Sequence, residues 1–255
     1  MKSVVVGDFL VEQAPISGGR FVAFTVLAER ADGSRASFRE ATEQQARREL
    51  EAALAPLELT WLSLQHEAEV FSAQPKEAVL ADAVIVSVPG QAVAFTTADC
   101  LPIVLVSESA QLIAGIHAGW RSLAKGVIEN CCKQFALLAG GRVPEDTQAW
   151  IGPSIAAADY EVDALTRAEL LASASVSKGH FSPTVPGHYL ADLPAMARAK
   201  LLAAGVAADN ISTEAASTFT ESRYHSARRD GQASGRMATV VAKCDRRTVP
   251  LSQKV

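Results

Sequence analysis

Two short apolar runs near the middle of the chain give the clearest structural signal in the sequence. Residues 103–106 (IVLV) and 112–116 (LIAGI) are separated by the polar residues SESAQ. Apolar runs of this length, bounded by polar residues or proline, are typical of buried strands. A five-residue connection suits an antiparallel hairpin. The pattern therefore predicts two paired strands with a polar turn.

The expected register of this hairpin brings two reactive side chains together. If Val106 pairs with Leu112, Leu101 falls opposite His117, and Cys100 lies one position further along the same strand. A thiol and an imidazole then meet at one end of the sheet. The pair indicates a soft metal site or a Cys–His nucleophile pair. Two ordinary core residues would be the structural alternative.

Further patterns predict the elements around the hairpin. Alternating or continuous apolar segments predict strands at residues 3–6, 20–27, 59–71, 81–87, 92–97, 149–155 and 237–242. Apolar positions at three- and four-residue steps predict helices at 37–54, 120–138, 156–173 and 193–205. The charged residues of the first helix, Arg47 and Arg48 among them, are expected on its solvated face.

His66 is the candidate third ligand. In the extended segment it shares a face with Leu62 and Leu64, at the point where the apolar pattern gives way to HEAE. Taken alone, this residue is better explained as a partly buried histidine bonded to a neighbour. Beside Cys100 and His117 it completes a set of soft donors, and a third donor favours a metal site.

Residues next to these donors suggest how an anion could bind. The segment HAGWRS enters a predicted helix, where Gly119 allows close approach to the backbone and exposed N–H groups attract anions. Arg121 in the first turn adds a planar guanidinium suited to phosphate or carboxylate. Asp99 is either a residue that orients a ligand or one that stabilises the turn before Pro102.

An arginine-rich segment lies between two extended stretches near the C-terminal end. Residues 223–236 (RYHSARRDGQASGR) contain four arginines and one histidine. Such a cluster in an acidic chain is typical of an anion clamp, although an exposed hairpin tip is the alternative for any single arginine. If the segment is extended, Arg228 and Arg229 point to opposite sides, so at most one of them faces a ligand.

Composition narrows the class of protein. The chain has 255 residues, 49% of them hydrophobic, and a net charge of -4, which is enough to bury a large core and offers no nucleic-acid or membrane surface. We find no second core, and we expect one domain over residues 1–255 with a peripheral tail at 244–255. No signal peptide or membrane span is expected. Four cysteines without a disulfide pattern indicate a reducing cytoplasm.

Six blocks of the sequence, between residues 61 and 241, resemble a known family. They are QHEAEVF, TADCLPIVL, HAGWRSLAKGVIE, IGPSIAAADYEV, YLADL and HSARRDGQASGRMA. In order, they are similar to the successive blocks of the YfiH-like laccase-domain family. Members of that family are also described as multicopper polyphenol oxidases, purine nucleoside phosphorylases and peptidoglycan editing factors.

The resemblance implies an α/β (α+β) fold, a single domain with mixed β-sheets covered by helices. It implies a metal site, usually zinc, at His66, Cys100 and His117. The implied activity is phosphorolysis of adenosine, inosine and guanosine, with adenosine deamination as a companion reaction. In that case Cys100, His117 and Arg121 are the catalytic candidates. The candidates for binding phosphate or ribose are Arg121, Ser226, Arg228 and Arg229.

The sequence departs from the family pattern near its N-terminal end. Leu27 stands where the family has arginine, and Arg39 and Glu40 stand where it has Asn-Leu. If those blocks hold substrate, specificity or activity is altered. Copper-dependent oxidation of phenols is an alternative, but five histidines in total are too few for a trinuclear copper centre. A peptidoglycan-precursor editing factor and a metal-binding protein without catalysis also remain. We expect a monomer or small homo-oligomer.

Overall fold

The computed structural model of the chain describes residues 4–16, 19–39, 43–72, 79–245 and 252–253. Its strands, in chain order, are β1 (Val4–Val6), β2 (Phe9–Gln13), β3 (Phe21–Arg30), β4 (Glu58–Ser63), β5 (Val70–Phe71), β6 (Val79–Leu80), β7 (Ala83–Val86), β8 (Gln91–Thr97), β9 (Leu101–Ser107), β10 (Leu112–Ala118), β11 (Gln148–Ile151), β12 (Glu161–Asp163), β13 (Phe181–Pro183), β14 (His188–Ala191), β15 (Ile211–Thr213), β16 (Met237–Lys243) and β17 (Ser252–Gln253).

The α-helices are α1 (Gln44–Leu54), α2 (Trp120–Lys125), α3 (Val127–Leu138), α4 (Ala164–Leu171), α5 (Leu193–Ala203) and α6 (Ala227–Asp230). Short 3-10 turns lie at Ala157–Asp159, Lys178–His180, Ala208–Asn210 and Gly231–Ala233. Within the described ranges, no helix combines the length and the apolar character that crossing a bilayer requires.

These strands form two large sheets and one small one. The first sheet has the order β17-β1-β2-β3-β16-β8-β4-β6, the second β15-β11-β9-β10-β7-β5, and the third β12-β14-β13. Both large sheets mix parallel and antiparallel neighbours, because β4 runs parallel to β8 and β15 parallel to β11 while β10 is antiparallel to β9. The predicted α/β (α+β) class with mixed sheets and helices is confirmed.

The two large sheets pack face to face, and helices cover their outer faces. Phe95 of the first sheet and Val104 of the second belong to the same buried cluster. Gly115 gives Phe95 the space it needs, because a Cβ atom there would lie 2.8 Å from Phe95 Cε1. Burying a side chain of this size contributes about 1.5–3 kcal/mol. Helix α1 covers the outer face of the first sheet, and α3 and α5 cover that of the second.

The central hairpin exists, but its predicted register is wrong by one residue. Leu112 pairs with Ser107 rather than with Val106, and His117 pairs with Pro102 rather than with Leu101. Strand β9 extends one residue further into the loop than the apolar run at 103–106, so four residues connect the strands instead of five. Gln111 closes this turn with a positive φ of 56°.

The helices differ from the predicted ones at their ends. The first begins at Gln44 rather than residue 37, and the helix predicted at 120–138 is divided at Gly126, whose φ of 86° ends α2. The segment predicted as helix 156–173 contains a 3-10 turn and β12 before α4 begins. Residues 227–230 form the short helix α6 instead of an extended segment, so the condition under which Arg228 and Arg229 were expected to point to opposite sides is not met.

Two expectations about exposure also fail. Arg47 is buried rather than solvated: its guanidinium donates to Phe38 O at 3.1 and 3.2 Å and lies 4.1 Å from the ring centre of Trp61. In the expected tail, Cys244 is 1% exposed within the core of the first sheet, and β17 pairs with β1. The single domain over residues 1–255 stays a prediction.

Candidate metal centre and active-site cavity

Cys100, His117 and His66 meet where ends of the two large sheets come together. Cys100 directly precedes β9, and His117 lies near the end of the antiparallel strand β10, so both side chains emerge at the same end of the second sheet. His66 follows β4 of the first sheet. One donor atom from each residue lies within 4.8 Å of the others. His66 is exposed, Cys100 half-buried and His117 buried.

A single buried carboxylate fixes both histidines. Asp82, which is 0% exposed, accepts a hydrogen bond from His117 Nδ1 at 2.8 Å. It also accepts from the backbone N–H groups of Gln65, His66 and Glu67 at 3.2, 3.0 and 2.8 Å. With Nδ1 occupied, the remaining ring nitrogen of His117 is the one left for a metal ion.

The same carboxylate explains the unusual backbone of His66. Its φ of 56° lies in the left-handed region, which costs a non-glycine residue about 1–2 kcal/mol. Each hydrogen bond to a charged group contributes about 1.5–3 kcal/mol, and Asp82 receives three of them from this loop. The bonds therefore outweigh the strain and aim His66 at the cavity.

Asp82 was not among the site residues predicted from the sequence. A lone aspartate at the start of the apolar run ADAVIV was the available signal, because a carboxylate in a buried strand requires several donors. Asp99, by contrast, does not contact the histidines in this way. It accepts from Thr218 Oγ1 at 2.6 Å and from the backbone N–H of Arg228 at 2.7 Å, so it ties the arginine-rich segment to the residue next to Cys100.

Gly119 permits the donors to approach the backbone. A Cβ atom at this position would lie 3.0 Å from Cys100 Sγ and 3.2 Å from His66 Nδ1. Both distances are at the limit that carbon contacts tolerate. Gly119 therefore allows close approach, as expected from the sequence, and the groups that approach its backbone are the side chains of Cys100 and His66.

Charges near the three donors shift their protonation. Burial lowers the pKa of His117, but the adjacent Cys100 sulfur and the carboxylate of Asp82 outweigh it and raise the pKa to about 9. Burial, with a further contribution from His117, lowers the pKa of His66. Burial raises the pKa of Asp82, yet the bonds from His117 and the backbone hold it below its ordinary value. Asp82 is therefore ionised at neutral pH.

The donors line a cavity of about 380 Å³, a size within the range of small-molecule sites, about 300–1,000 Å³. It is enclosed by polar, apolar and cationic side chains: Arg39, Arg47, Leu62, Ser63, Leu64, His66, Thr96, Thr97, Ala98, Cys100, His117, Ala227 and Arg236. Two donors of the set are nitrogen and one is sulfur, which suits a borderline-soft ion such as zinc or copper.

Two of the predicted anion-binding arginines lie near the donors but do not line this cavity. Arg121 is exposed, with its guanidinium 4.4 Å from the ring centre of Trp120. Arg228 donates from Nη1 to Glu161 O at 2.9 Å and lies 4.7 Å from the ring centre of Tyr160. Arg121 lies two residues after Gly119, which packs against Cys100 and His66, and its charge contributes to lowering the pKa of His66.

Ser226 and Arg229 are engaged inside the arginine-rich segment. Ser226 is fully buried and caps α6, accepting from the backbone N–H of Arg229 at 3.1 Å. Arg229 donates from Nη1 to Thr218 O and Phe219 O at 2.9 and 3.1 Å, and its guanidinium pairs with Asp230 at 2.8 Å. Both side chains hold this segment together.

Arg39 and Arg236 are cationic side chains that do line the cavity, and neither was a predicted binding residue. Arg39 was noted only as a departure from the family pattern, and Arg236 only as part of the arginine cluster. Leu27, the other departure, is buried against Tyr224 and Met237, away from the cavity. Glu40 lies outside the described residues.

The remaining histidines are used elsewhere. His225 bonds Ala36 O at 2.7 Å, and His180 accepts from the backbone N–H of Ser177 at 3.0 Å. His188 is exposed. In the described part of the chain, the set of His66, Cys100 and His117 is the one group of three donors able to hold a metal ion.

This fold and site define a class: a mixed α/β protein with a possible metal centre at the wall of a cation-lined cavity. A family model described as "Multi-copper polyphenol oxidoreductase laccase" matches residues 32–244. The chain belongs to this family, and the resemblance drawn from the sequence blocks is confirmed.

Relatives with names give the comparison more detail. The chain is 40% identical over 161 residues to a purine nucleoside phosphorylase of Xylella fastidiosa (strain Temecula1), covering 63% of this chain and 60% of that one. It is 33% identical over 202 residues to purine nucleoside phosphorylase YfiH of Shigella flexneri, covering 78% and 79%. It is 37% identical over 164 residues to adenosine deaminase RL5 of an unknown prokaryotic organism, covering 62% and 60%.

The chain thus spans about 60% of the length of the Xylella relative. A solved structure shows the same fold over most of both chains. The hypothetical protein YfiH of Bacillus licheniformis superposes with a TM-score of 0.82, at 19% identity, over 93% of this chain and 97% of that one.

Proposed function

We propose that this chain is a zinc-dependent purine nucleoside phosphorylase, which converts adenosine, inosine or guanosine into the free base and ribose 1-phosphate. The observation that carries the proposal is the set of three soft donors within 4.8 Å, at the wall of a cavity that also contains guanidinium groups. The relatives named purine nucleoside phosphorylase support this choice of substrate.

In this proposal His66, Cys100 and His117 would hold zinc. Zinc held by these residues would supply Lewis acidity at the wall of the cavity. Asp82 orients both imidazoles toward Cys100, through His117 Nδ1 and the backbone N–H of His66. Cys100 acts as a ligand, because a coordinated thiolate is not a free nucleophile.

The reaction requires a cationic site beside the sugar. An oxygen of hydrogen phosphate forms a bond to ribose C1′ while the bond from C1′ to purine N9 breaks. The electron pair of that bond and the proton of hydrogen phosphate both go to the departing base. Arg121 and Arg228, near the centre, can attract the incoming dianion. Ser226 and Arg229 keep the adjacent helix in place.

Copper-dependent oxidation of phenols is less well supported by the site. A trinuclear copper centre requires many imidazole ligands. Three of the five histidines, His180, His188 and His225, are outside the donor set. The family description names copper, and metal analysis distinguishes the two ions directly.

The decisive experiment combines metal content with a phosphate-dependent assay. Protein purified without added metal is expected to contain about one zinc ion per chain and to release hypoxanthine from inosine only when phosphate is present. His66→Gln should lower both metal content and turnover, while His188→Gln, at an exposed position, should change neither. If the zinc-loaded chain cleaves no nucleoside, a metal-binding or cell-wall editing role replaces this proposal. Turnover that survives removal of the metal would instead favour a Cys100–His117 nucleophile pair.

Adenosine deamination is a second candidate, favoured by the relative named adenosine deaminase. It replaces the amino group of adenine with oxygen from water and releases ammonia, so it needs no phosphate. Inosine formed from adenosine in phosphate-free buffer would support it. The same His66→Gln variant should abolish this activity if the metal centre serves both reactions.

The described cysteines, Cys100, Cys131, Cys132 and Cys244, are all free thiols. Free thiols are typical of a reducing compartment, and we propose that the enzyme acts in the cytoplasm on small-molecule substrates. A monomer or small homo-oligomer remains our expectation for its assembly state.

A further inference from the structure

Three guanidinium groups share the cavity with the metal-ligand candidates. That of Arg47 is buried, bonds Phe38 O and stacks on Trp61; the other two belong to Arg39 and Arg236. Arg39, on the segment that follows β3, and Arg236, which directly precedes β16, both line it. Both side chains are half-buried. Besides buried Arg47, the cavity therefore holds two half-buried positive charges among the side chains that line it together with His66, Cys100 and His117.

Neither guanidinium forms an ion pair with a carboxylate among the described residues. Arg39 donates from Nη2 to Gln232 O, and Arg236 donates from Nη1 to Gly235 O at 2.8 Å and to Ser234 O at 3.2 Å. No carboxylate among the described residues lies within ion-pairing distance of either group. Glu43 accepts from the backbone N–H of Arg39, at 2.9 Å, rather than from its guanidinium.

The two groups also repel each other. Burial lowers the pKa of Arg236 and the positive charge of Arg39 lowers it further, and together they outweigh the opposite effect of Cys100, Asp99 and Glu43. Placing like charges together in a partly desolvated cavity is unfavourable. A dianion bound between them would reverse this cost, because each arginine could present a pair of N–H donors to its oxygens.

The backbone holds the two arginines in a fixed relation. The N–H of Phe38 donates to Arg236 O at 3.0 Å, and the N–H of Arg236 donates to Ser37 Oγ at 2.9 Å. Buried Arg47 then bonds Phe38 O and stacks on Trp61. The segment bearing Arg39 is therefore pinned on both sides, which reduces the conformational entropy that ligand binding would cost.

We propose that Arg39 and Arg236 form a subsite for a phosphate dianion inside the cavity that His66, Cys100 and His117 line. The proposal deepens the function proposed above and names the part of the substrate that these residues contact. Two sources carry this chemistry: inorganic phosphate, the co-substrate of phosphorolysis, and the 5′-phosphate of a purine nucleoside monophosphate.

Direct binding tests the subsite without requiring turnover. Isothermal titration of the zinc-loaded chain uses inorganic phosphate in one series, and inosine and inosine 5′-monophosphate in a second. Arg39→Asn and Arg236→Gln each remove one guanidinium. Arg35→Asn is the matched control, because Arg35 lies on the same segment, is exposed, and donates to a backbone carbonyl outside the cavity.

The expected result is a roughly 10- to 100-fold loss of affinity for the phosphate-bearing ligand in each cavity variant, with the control within twofold. Arg39→Lys should retain part of the affinity, because it keeps the charge but loses the planar fork. Thermal unfolding curves that match the wild type show that the variants are folded.

The two series identify the source. If inorganic phosphate binding is lost and inosine 5′-monophosphate binds no better than inosine, the subsite serves the co-substrate. If wild-type protein prefers the monophosphate over inosine at least tenfold and Arg39→Asn removes that preference, it serves the 5′-phosphate. Unchanged affinities in both cavity variants, or no binding of either phosphate ligand to the wild type, overturn the proposal. Arginine-dependent binding without any nucleoside cleavage would refute phosphorolysis but leave the subsite standing.

Discussion

Two buried carboxylates organise two neighbouring parts of the site, and each acts on different groups. Asp82 binds one imidazole and three backbone N–H groups, leaving the other ring nitrogen of His117 and the ring of His66 to face the cavity. Asp99 binds Thr218 and the backbone of Arg228. In the arginine-rich segment, the guanidinium of Arg229 is fully engaged by backbone carbonyl groups and by Asp230.

The comparison shows that residue type alone does not identify a binding group. What counts is whether the fold leaves the side chain's hydrogen-bonding capacity unused. His66 and His117 keep a ring nitrogen available for a ligand because Asp82, which is not itself a candidate ligand, holds them in place. Arg229 does not keep its capacity. Arg39 and Arg236 keep part of theirs, because the hydrogen bonds that each guanidinium makes to described residues run from one end of the group to backbone carbonyls.

Among the variants considered, Asp82→Asn should have the largest effect, because it disturbs the hydrogen bonds that orient both histidines. The amide would present N–H groups toward donors that now face a carboxylate, leaving buried polar groups unpaired. We expect a loss of about 3–5 kcal/mol in the free energy of unfolding and a roughly 10- to 100-fold weaker metal affinity, measured by urea unfolding and by competition with a chromophoric chelator.

Asp146→Asn is the matched control for this change. Asp146 also accepts several bonds, from Ser107 Oγ and from the N–H and Oγ of Ser109, but at the opposite end of the hairpin. The Asp146→Asn variant should have a lower free energy of unfolding and an unchanged metal affinity. Equal metal affinity in Asp82→Asn and wild type would contradict the role we give to Asp82.

Gly119→Ala should have a smaller effect than Asp82→Asn, and that effect should be confined to metal affinity. The added methyl would press on Cys100 Sγ and His66 Nδ1, so we expect a roughly tenfold loss of metal affinity, about 1.4 kcal/mol. Gly179→Ala is its control, because its Cβ would meet only Ser177 Oγ, at 3.6 Å. A metal affinity within twofold of wild type would show that the donors are less tightly placed than the structure indicates.

The sequence predicts the first region well because its signals are local. The apolar runs of β9 and β10 predict strands, and strands that pair antiparallel bring Cys100 and His117 to one end whatever the exact register. The register itself was wrong by one residue because it depends on the four-residue turn and on the φ of Gln111, and neither follows from hydrophobicity. The position of His66 followed only from its place beside the other two donors.

The second region could not be predicted in the same way. Arg47 belongs to the polar pattern of α1, and its burial follows from a contact with Trp61 on a different element. Arg39 and Arg236 are far apart in sequence, and backbone hydrogen bonds through Ser37 and Phe38 bring them together. Such non-local contacts leave no periodic signal, so the sequence indicated a cluster of arginines without showing which of them the fold leaves available.

Arg229→Ala and Arg121→Ala provide the smallest and most selective test of that difference. Arg229 lies partly exposed and bonds the backbone carbonyls of Thr218 and Tyr224, so its loss should lower the free energy of unfolding by about 1–2 kcal/mol. Exposed Arg121 lies over the Trp120 ring and makes no hydrogen bond or ion pair among the described residues, so its removal should change stability by less than about 0.5 kcal/mol. It should instead raise the KM for phosphate or nucleoside a few-fold, because a long-range attraction to the anion is lost, and this effect should fade as salt is added. Thermal unfolding and steady-state kinetics at two ionic strengths measure both quantities. If Arg229→Ala altered KM without altering stability, the segment would contain a substrate-binding arginine that the hydrogen bonds observed here do not indicate.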